Sequence, residues 1–315
     1  MVYVILFLCA LVGTYIVRWY SFEKSILDIP NARSSHMVPT PRGGGLAIII
    51  IFYIGLVYFK DSIDIKLFYA LWLGIPVALV SILDDVVTLS SKVRFVVQSI
   101  SAIVALYCLG GVSFIDFTYF SMDGIWVNTI AVIAILWLTN LYNFMDGIDG
   151  YAGIEALTVG LGIFILFHNP LGLVIAVASL GFLVFNWHPA TIFMGDVGSA
   201  TLGFLFAILL FSDTSDGNIY VWMVLLSLFW FDATVTLLRR YQNKESVTQA
   251  HKKHAYQRLV QSGWSHKKVS AFALLFNGFF VLLLYMIEMP FIVWIINIVA
   301  MCGLMYLIEK KKAFA

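Results

Sequence analysis

The chain has 315 residues, of which 61% are hydrophobic and only 12% charged, with a formal net charge of +1. A water-soluble domain of this composition would expose far too much apolar surface, so nearly the whole length must lie in lipid or pack between spans. The total charge decides nothing by itself; its distribution along the chain does.

A membrane span needs roughly 20 apolar residues, within a range of about 17–25. Read in chain order, that rule predicts helices over 2–20, 43–59, 67–83, 95–113, 125–143, 152–168, 171–187, 197–212, 219–238, 269–287 and 290–308. The first has neither a basic leading region nor a small-residue cleavage site, and is expected to be a retained helix rather than a signal peptide. The stretches 152–168 and 171–187, parted only by His168-Asn169-Pro170, are expected to form a tight helical hairpin. The fold class is therefore all-α and polytopic, with about eleven transmembrane helices and ten as the alternative count, in one integral membrane domain spanning 1–315. Cys9, Cys108 and Cys302 lie in apolar runs without ligand or disulfide spacing and are read as small buried hydrophobes.

If the spans alternate, every Lys and Arg except Lys60 and Lys66 falls on one set of loops. The positive-inside rule places that set in the cytoplasm, with the N-terminus outside and the C-terminus inside. Acids on the opposite loops, such as Asp61, Asp123 and Asp216, are scattered like a solvated surface. Those on the inner side are clustered and lie beside glycines.

The first inner cluster is Asp84-Asp85, closing the run Ser81-Ile82-Leu83. A helix C-terminus already carries partial negative charge, so two carboxylates there cost a few tenths to about 1 kcal/mol each unless a cation or phosphate chemistry compensates them. Lys92 and Arg94 can supply part of that compensation. Upstream, Pro39-Thr40-Pro41-Arg42-Gly43-Gly44-Gly45 adds a cation at the inner surface; its glycines make either a flexible helix start or a place where backbone amides approach an anion.

The second cluster, Asn140-Leu141-Tyr142-Asn143-Phe144-Met145-Asp146-Gly147-Ile148-Asp149-Gly150, combines carboxylates and carboxamides with turn-forming glycines. Such groups can hold a nucleobase, a ribose or a hard cation, and without EF-hand spacing a phosphate-bridged Mg²⁺ suits them better than a calcium loop. The third, Phe193-Met194-Gly195-Asp196-Val197-Gly198-Ser199, opens the next apolar stretch, where helix amides and dipole favour phosphate. Asn186 precedes it on the same side, and His188 beside Pro189 reads as structural or as a hydrogen bonder.

The segment 239–268 is the only long polar stretch and is expected to complete the site from the cytoplasm. It contains His251-Lys252-Lys253-His254-Ala255-Tyr256-Gln257-Arg258, whose spacing would put His251, His254 and Arg258 on one face of a helix. A basic patch against anionic lipid and a zinc site are alternatives, but no Cys or third His is near for zinc. Imidazole and guanidinium aimed at a pyrophosphate use the geometry more fully.

Taken together, Asp84-Asp85, the Asn143-to-Gly150 turn, the Phe193-to-Ser199 turn and the His251-to-Arg258 stretch resemble, in order, the motifs of the polyprenyl-phosphate N-acetylhexosamine-1-phosphate transferases. Within that superfamily, the Pro39-to-Gly45 loop and the form of the His251-to-Arg258 stretch look more like enzymes that initiate O-antigen or wall-polymer synthesis than like the peptidoglycan branch. The resemblance implies transfer of an N-acetylhexosamine-1-phosphate from a UDP-sugar to polyprenyl phosphate with release of UMP. Its implied cofactor is Mg²⁺, or Mn²⁺, held by Asp196 with Asp84 or Asp85. Asp84 and Asp85 would orient or deprotonate the lipid phosphate, a covalent phospho-Asp being the alternative. Asn143, Asp146, Asp149 and Asn186 would contact nucleotide or sugar, while Arg42, His251, His254 and Arg258 would face the phosphates. The implied location is the bacterial inner membrane with the site on its cytoplasmic face. A homodimer through lipid-facing helices is compatible with this reading, and nucleic acid is not an expected partner. The competing readings are a phospho-N-acetylmuramoyl-pentapeptide transferase and, from another class, a membrane transporter.

Overall fold

The computed structural model describes residues 1–30, 38–87, 89–246, 249 and 251–314. Arg33, one of the inner-loop cations, and Val247, Thr248 and Ala250 of the polar segment lie outside the described residues.

The described chain is built from helices: α1 (Val2–Glu23), α2 (Gly45–Tyr58), α3 (Ile65–Leu71), α4 (Gly74–Val87), α5 (Ser91–Leu109), α6 (Ile125–Met145), α7 (Tyr151–Phe167), α8 (Pro170–Asn186), α9 (Asp196–Ser212), α10 (Asn218–Leu225), α11 (Ser227–Gln242), α12 (Ala255–Gln261), α13 (His266–Met286) and α14 (Pro290–Lys311). Each apolar stretch expected from the sequence falls on one of these helices or on the pairs α3–α4 and α10–α11. By length and composition six segments can cross a membrane, seven if α10 and α11, bent by 77° at their junction, form one span. Four shorter apolar helices, α2, α7, α8 and α9, complete the set. The protein is thus a mostly helical, polytopic membrane protein.

Burial sorts the helices into centre and rim. α9 is buried on every face from Val197 to Phe211, and α2, α4 and α6 pack around it. Glycines permit the closest approaches: a Cβ on Gly45 would fall 2.3 Å from the Cα of Gly198, so α2 and α9 meet backbone to backbone. The expected hairpin is α7 against α8. Asn169 caps α8 by accepting from Leu171 N at 3.0 Å, and Pro170 occupies the first helical turn, where its missing N–H costs nothing.

At the rim, α1, α5, α13 and α14 turn Ile5, Leu8, Val12, Ile100, Ile103, Leu275, Leu282 and Val299 outward. That apolar exposure suits contact with lipid and no other solvent. The cysteines differ from expectation here. All are free thiols, but Cys9 and Cys302 are exposed on this outer surface rather than buried, because α1 and α14 give most of their circumference to the rim. Two small antiparallel hairpins, β1 (Leu27–Asp28) with β2 (Thr40–Pro41) and β3 (Phe114–Asp116) with β4 (Ser121–Asp123), finish connections between helices.

Candidate active site

The site grows from the place where the end of α4 meets the start of α9. Asp85, in the last turn of α4, lays its carboxylate against the first amides of α9: Oδ1 is 3.4 Å from Asp196 N and Oδ2 is 3.4 Å from Val197 N. The unfavourable dipole at the end of its own helix is thereby offset by the favourable one at the start of another. Arg42 lies alongside, with Nη1 3.8 Å from Asp85 Oδ1 and Nη2 donating to the Asp85 carbonyl.

Asp84 accepts from Leu89 N at 2.6 Å and from Arg94 Nη1 at 2.6 Å. The same Arg94 nitrogen is 2.7 Å from Asp196 Oδ2. Arg94 therefore joins α4 to α9 and supplies part of the compensation, as expected of it together with Lys92.

The glycine-rich loop leads into α2 by packing on the 193–195 turn rather than by offering its Gly44 and Gly45 amides to an anion. Gly44 N and Gly45 N already donate to the carbonyls of Phe193 and Met194, both at 2.9 Å, so these amides are not available to an anion. Gly195 is required where this loop, α4 and α9 converge. Its φ is +74°, and a Cβ there would stand 2.8 Å from Asp85 Oδ2 and 2.9 Å from Gly43 N.

Asn143 joins the centre by accepting from Ser199 Oγ at 2.8 Å. Asp146 follows at the end of α6. Burial raises its carboxyl to about 7, and the nearby charges of Asp196, Asp85 and Asp149 push in the same direction. Asp84, Asp85 and Asp196 thus gather around two guanidinium groups with Asp146 close by, leaving an excess of acidic groups and an all-oxygen donor set. Such an oxygen donor set with excess negative charge is chemically compatible with a hard divalent cation such as Mg²⁺ or Mn²⁺.

Asp149 sits one turn further on, and its surroundings are mostly protein. Its Oδ2 lies 2.6 Å from His188 Nδ1 and accepts from Ala190 N at 3.2 Å, while Oδ1 lies 3.3 Å from His266 Nδ1. Burial acts to raise the carboxyl, but the hydrogen bonds from His266 and His188 outweigh it and leave Asp149 below its ordinary range. Ser270 Oγ donates to the Asp149 carbonyl at 2.7 Å, and Gly150 N donates to Asn186 Oδ1 at 3.0 Å. Asn186 also gives its Nδ2 to Ile192 O at 2.9 Å, so it braces two loops. His188 is the hydrogen bonder expected of it. Donor atoms of Asp149, His188 and His266 lie within 4.8 Å of one another, a spacing a metal could use, but the short hydrogen bonds already satisfy the carboxylate.

The polar segment differs from the expected helical face. α12 begins only at Ala255, so His251 and His254 precede it, and Arg258 is not stacked with them. The reason is Asp232 on α11, a buried acid whose Oδ2 accepts from Ala255 N at 2.8 Å and Tyr256 N at 3.4 Å, fixing the helix start there. His254 Nδ1 stands 3.5 Å from Asp232 Oδ1. His251 accepts from Lys253 N through Nδ1 at 3.2 Å. Burial, then the neighbouring His254 and Arg240, lowers its imidazole to about 4. His251 is therefore a neutral Nε2–H donor at pH 7 and not a cation. Arg258 donates to Glu309 Oε2 at 2.6 Å and to the Lys312 carbonyl, so its hydrogen bonds run to α14 rather than to the four carboxylates. The segment reaches the centre through Tyr256, whose hydroxyl donates to Phe144 O at 3.2 Å and whose ring stacks on Tyr151 at 4.9 Å.

Sequence reasoning passed over His266, Asp232 and Glu309. Asp232 had a usable signal, being a lone acid in an apolar run, which is costly unless partnered. His266 and Glu309 had none, since each acquires its meaning from residues far away in the chain.

An acid-lined, guanidinium-bridged centre at the ends of apolar helices suits a class: multi-pass membrane enzymes that handle phosphates. Comparison with known proteins narrows it. The Glycosyl transferase family 4 model matches residues 67–212, which hold every carboxylate and carboxamide described above up to Asp196 and exclude the 251–258 stretch. A Bacillus subtilis protein named "Probable undecaprenyl-phosphate N-acetylglucosaminyl 1-phosphate transferase" is 31% identical over 283 residues, covering 84% of this chain and 78% of the relative. A Mycobacterium tuberculosis decaprenyl-phosphate N-acetylglucosaminephosphotransferase is 29% identical over 311 residues, covering 83% and 76%. A phospho-N-acetylmuramoyl-pentapeptide-transferase of Oceanobacillus iheyensis is 32% identical over 213 residues, covering 59% and 65%. The chain belongs to the polyprenyl-phosphate N-acetylhexosamine-1-phosphate transferase superfamily, and is a membrane transferase of sugar phosphate to a polyprenyl phosphate lipid.

Proposed function

We propose that this enzyme transfers an N-acetylhexosamine-1-phosphate from a UDP-sugar to undecaprenyl phosphate, releasing UMP and initiating a lipid-linked surface glycan of the O-antigen or wall-polymer kind. We place the reaction at the cytoplasmic face of the bacterial inner membrane. The observation that carries the reading is the gathering of Asp84, Asp85 and Asp196 about Arg42 and Arg94, with Asp146 close enough to feel the charges of Asp85 and Asp196. An oxygen of the lipid phosphate attacks the β-phosphorus; the bond from that phosphorus to the bridging oxygen breaks, and the bridging oxygen leaves with UMP. Bound Mg²⁺, held by Asp196 and Asp84, would neutralise charge on the reacting phosphates.

The chain's own groups do the rest. Arg42 and Arg94 attract the two phosphorylated substrates into an acidic centre that would otherwise repel them. Asp85, fixed against the start of α9, orients the lipid phosphate; with a second phosphate pKa near 6 the lipid needs little base catalysis. Asn143 and Asp146 face the nucleotide sugar, with Asp149 and Asn186 shaping the turn that presents them. His251 approaches the phosphates as a neutral donor, with His254 beside it. The longer coverage of the N-acetylglucosamine-type relatives favours that sugar class over a muramoyl-pentapeptide. Membership of a transferase superfamily sets the transporter reading aside.

Incubation of the purified protein with undecaprenyl phosphate and a panel of UDP-N-acetylhexosamines, with UMP as readout, tests the proposal. UMP should appear with at least one sugar and only with added divalent metal. Replacing Asp196 by Asn should abolish turnover while the protein stays folded in detergent; near-normal turnover in that variant would sink the metal assignment.

A further inference from the structure

The C-terminal end of α14 folds back onto the polar segment in a manner the reaction chemistry does not require. Glu309 Oε2 accepts from Arg239 Nη1 at 2.7 Å, at the end of α11, and from Arg258 Nη2 at 2.6 Å, on α12. Its Oε1 accepts from Phe314 N at 2.8 Å, which turns the chain after α14 back on itself. Arg258 Nε donates to Lys312 O at 3.0 Å and closes the same turn.

The ring of Phe314 then meets three cations. The guanidinium carbons of Arg239 and Arg258 are each 5.5 Å from its centroid, and Lys253 Nζ is 5.3 Å away. Glu309 accepts from both guanidinium groups and Glu245 Oε1 lies 2.8 Å from Lys253 Nζ, and the negative face of the aromatic ring adds to what these two carboxylates hold. Lys253 immediately precedes His254, and Arg258 lies on the helix whose Tyr256 touches the carbonyl of Phe144. The Phe314 ring therefore touches both ends of the stretch that carries the histidines, with Glu309 holding its Arg258 end and Glu245 its Lys253 end.

We propose that Glu309 and Phe314 form a clasp that positions the 251–258 stretch over the acidic centre, making both positioning residues for the transfer. The inference rests on the reading that His251 and His254 serve the reaction. Asp232 anchors the start of α12, and the clasp supplies the second point needed to fix its direction. With one anchor removed, the histidines would swing with the segment, and misplacement by about an ångström can lower a rate by up to about 10²-fold.

The test compares the full chain with Phe314→Leu, Phe314→Trp and Glu309→Gln in detergent, using UDP-N-acetylglucosamine or the sugar that the panel selects, and undecaprenyl phosphate. Phe314→Leu and Glu309→Gln should lower kcat about tenfold with little change in KM for the lipid, and tryptic cleavage after Lys252 and Lys253 should accelerate. Phe314→Trp should stay within about twofold of the wild type, because an indole face holds cations at least as well as a phenyl face. If Glu309→Gln does not fold, the Phe314 pair decides. Wild-type kcat in Phe314→Leu overturns the clasp, as does a Trp variant as impaired as the Leu variant, since packing volume alone would then explain the ring. His254→Asn separates the two levels. Inactivity there with normal Phe314→Leu overturns the clasp alone; near-normal turnover overturns the role of the stretch and the clasp with it.

Discussion

Asp84 and Asp196 share a single hydrogen-bond donor, Nη1 of Arg94, at 2.6 and 2.7 Å. These are the two carboxylates that we propose hold the metal, and Arg94 offsets the repulsion between them and sets their spacing. Replacing Arg94 by Ala should lower UMP release by about 10²-fold, the usual loss when one preorganised donor leaves a charged centre. Lys should recover only part of the loss, because it cannot bridge two carboxylates with a fixed fork. Steady-state rates of the two variants at saturating Mg²⁺ decide the matter.

Gly195 offers a test of the architecture itself. Its backbone has φ +74° and ψ 166°, a region open to little but glycine, and the space for a Cβ is already taken by Asp85 Oδ2 and Gly43 N. Gly195→Ala should cost about 1–3 kcal/mol in backbone strain before any steric term is added. A lowered thermal midpoint together with lost turnover is the expected outcome. Gly263→Ala, with φ +97° but nothing near its Cβ, should show the strain while leaving turnover in place.

His266 ties the 146–150 turn, which we propose faces the nucleotide sugar, to α13. Its replacement by Ala should remove a buried partner of Asp149 at a cost of about 1–3 kcal/mol in stability, with a raised KM for the UDP-sugar. An unchanged KM in a folded variant would show that His188 and Ala190 hold Asp149 unaided.

The depressed imidazole of His251 has a definite sign. The unfolded chain takes up its proton as pH falls below about 6.5, whereas the folded chain does so only near 4. This group's contribution to stability is therefore full above pH 6.5 and is lost as the pH falls toward 4. Thermal unfolding in detergent at pH 7 and pH 5 should show a smaller drop for His251→Asn than for the wild type.

The sequence by itself determined the helices and made the acidic residues at their ends conspicuous. A twenty-residue apolar run must satisfy its backbone internally in lipid, a local requirement, so every expected span coincides with a helix or a helix pair. The acids were legible for the same reason: Asp84, Asp85, Asp146, Asp149 and Asp196 are conspicuous in apolar surroundings because charge there is costly. Tertiary structure decided what each polar group does. Arg258 is bound by Glu309, and Asp149 by His188 and His266, through partners distant in sequence that no local pattern announces. The helix that the 251–258 spacing implied starts late because Asp232 claims its first amides. Hydrogen bonds and ion pairs act only over a few ångströms, and which groups come that close is settled by helix packing around α9 rather than by their order along the chain.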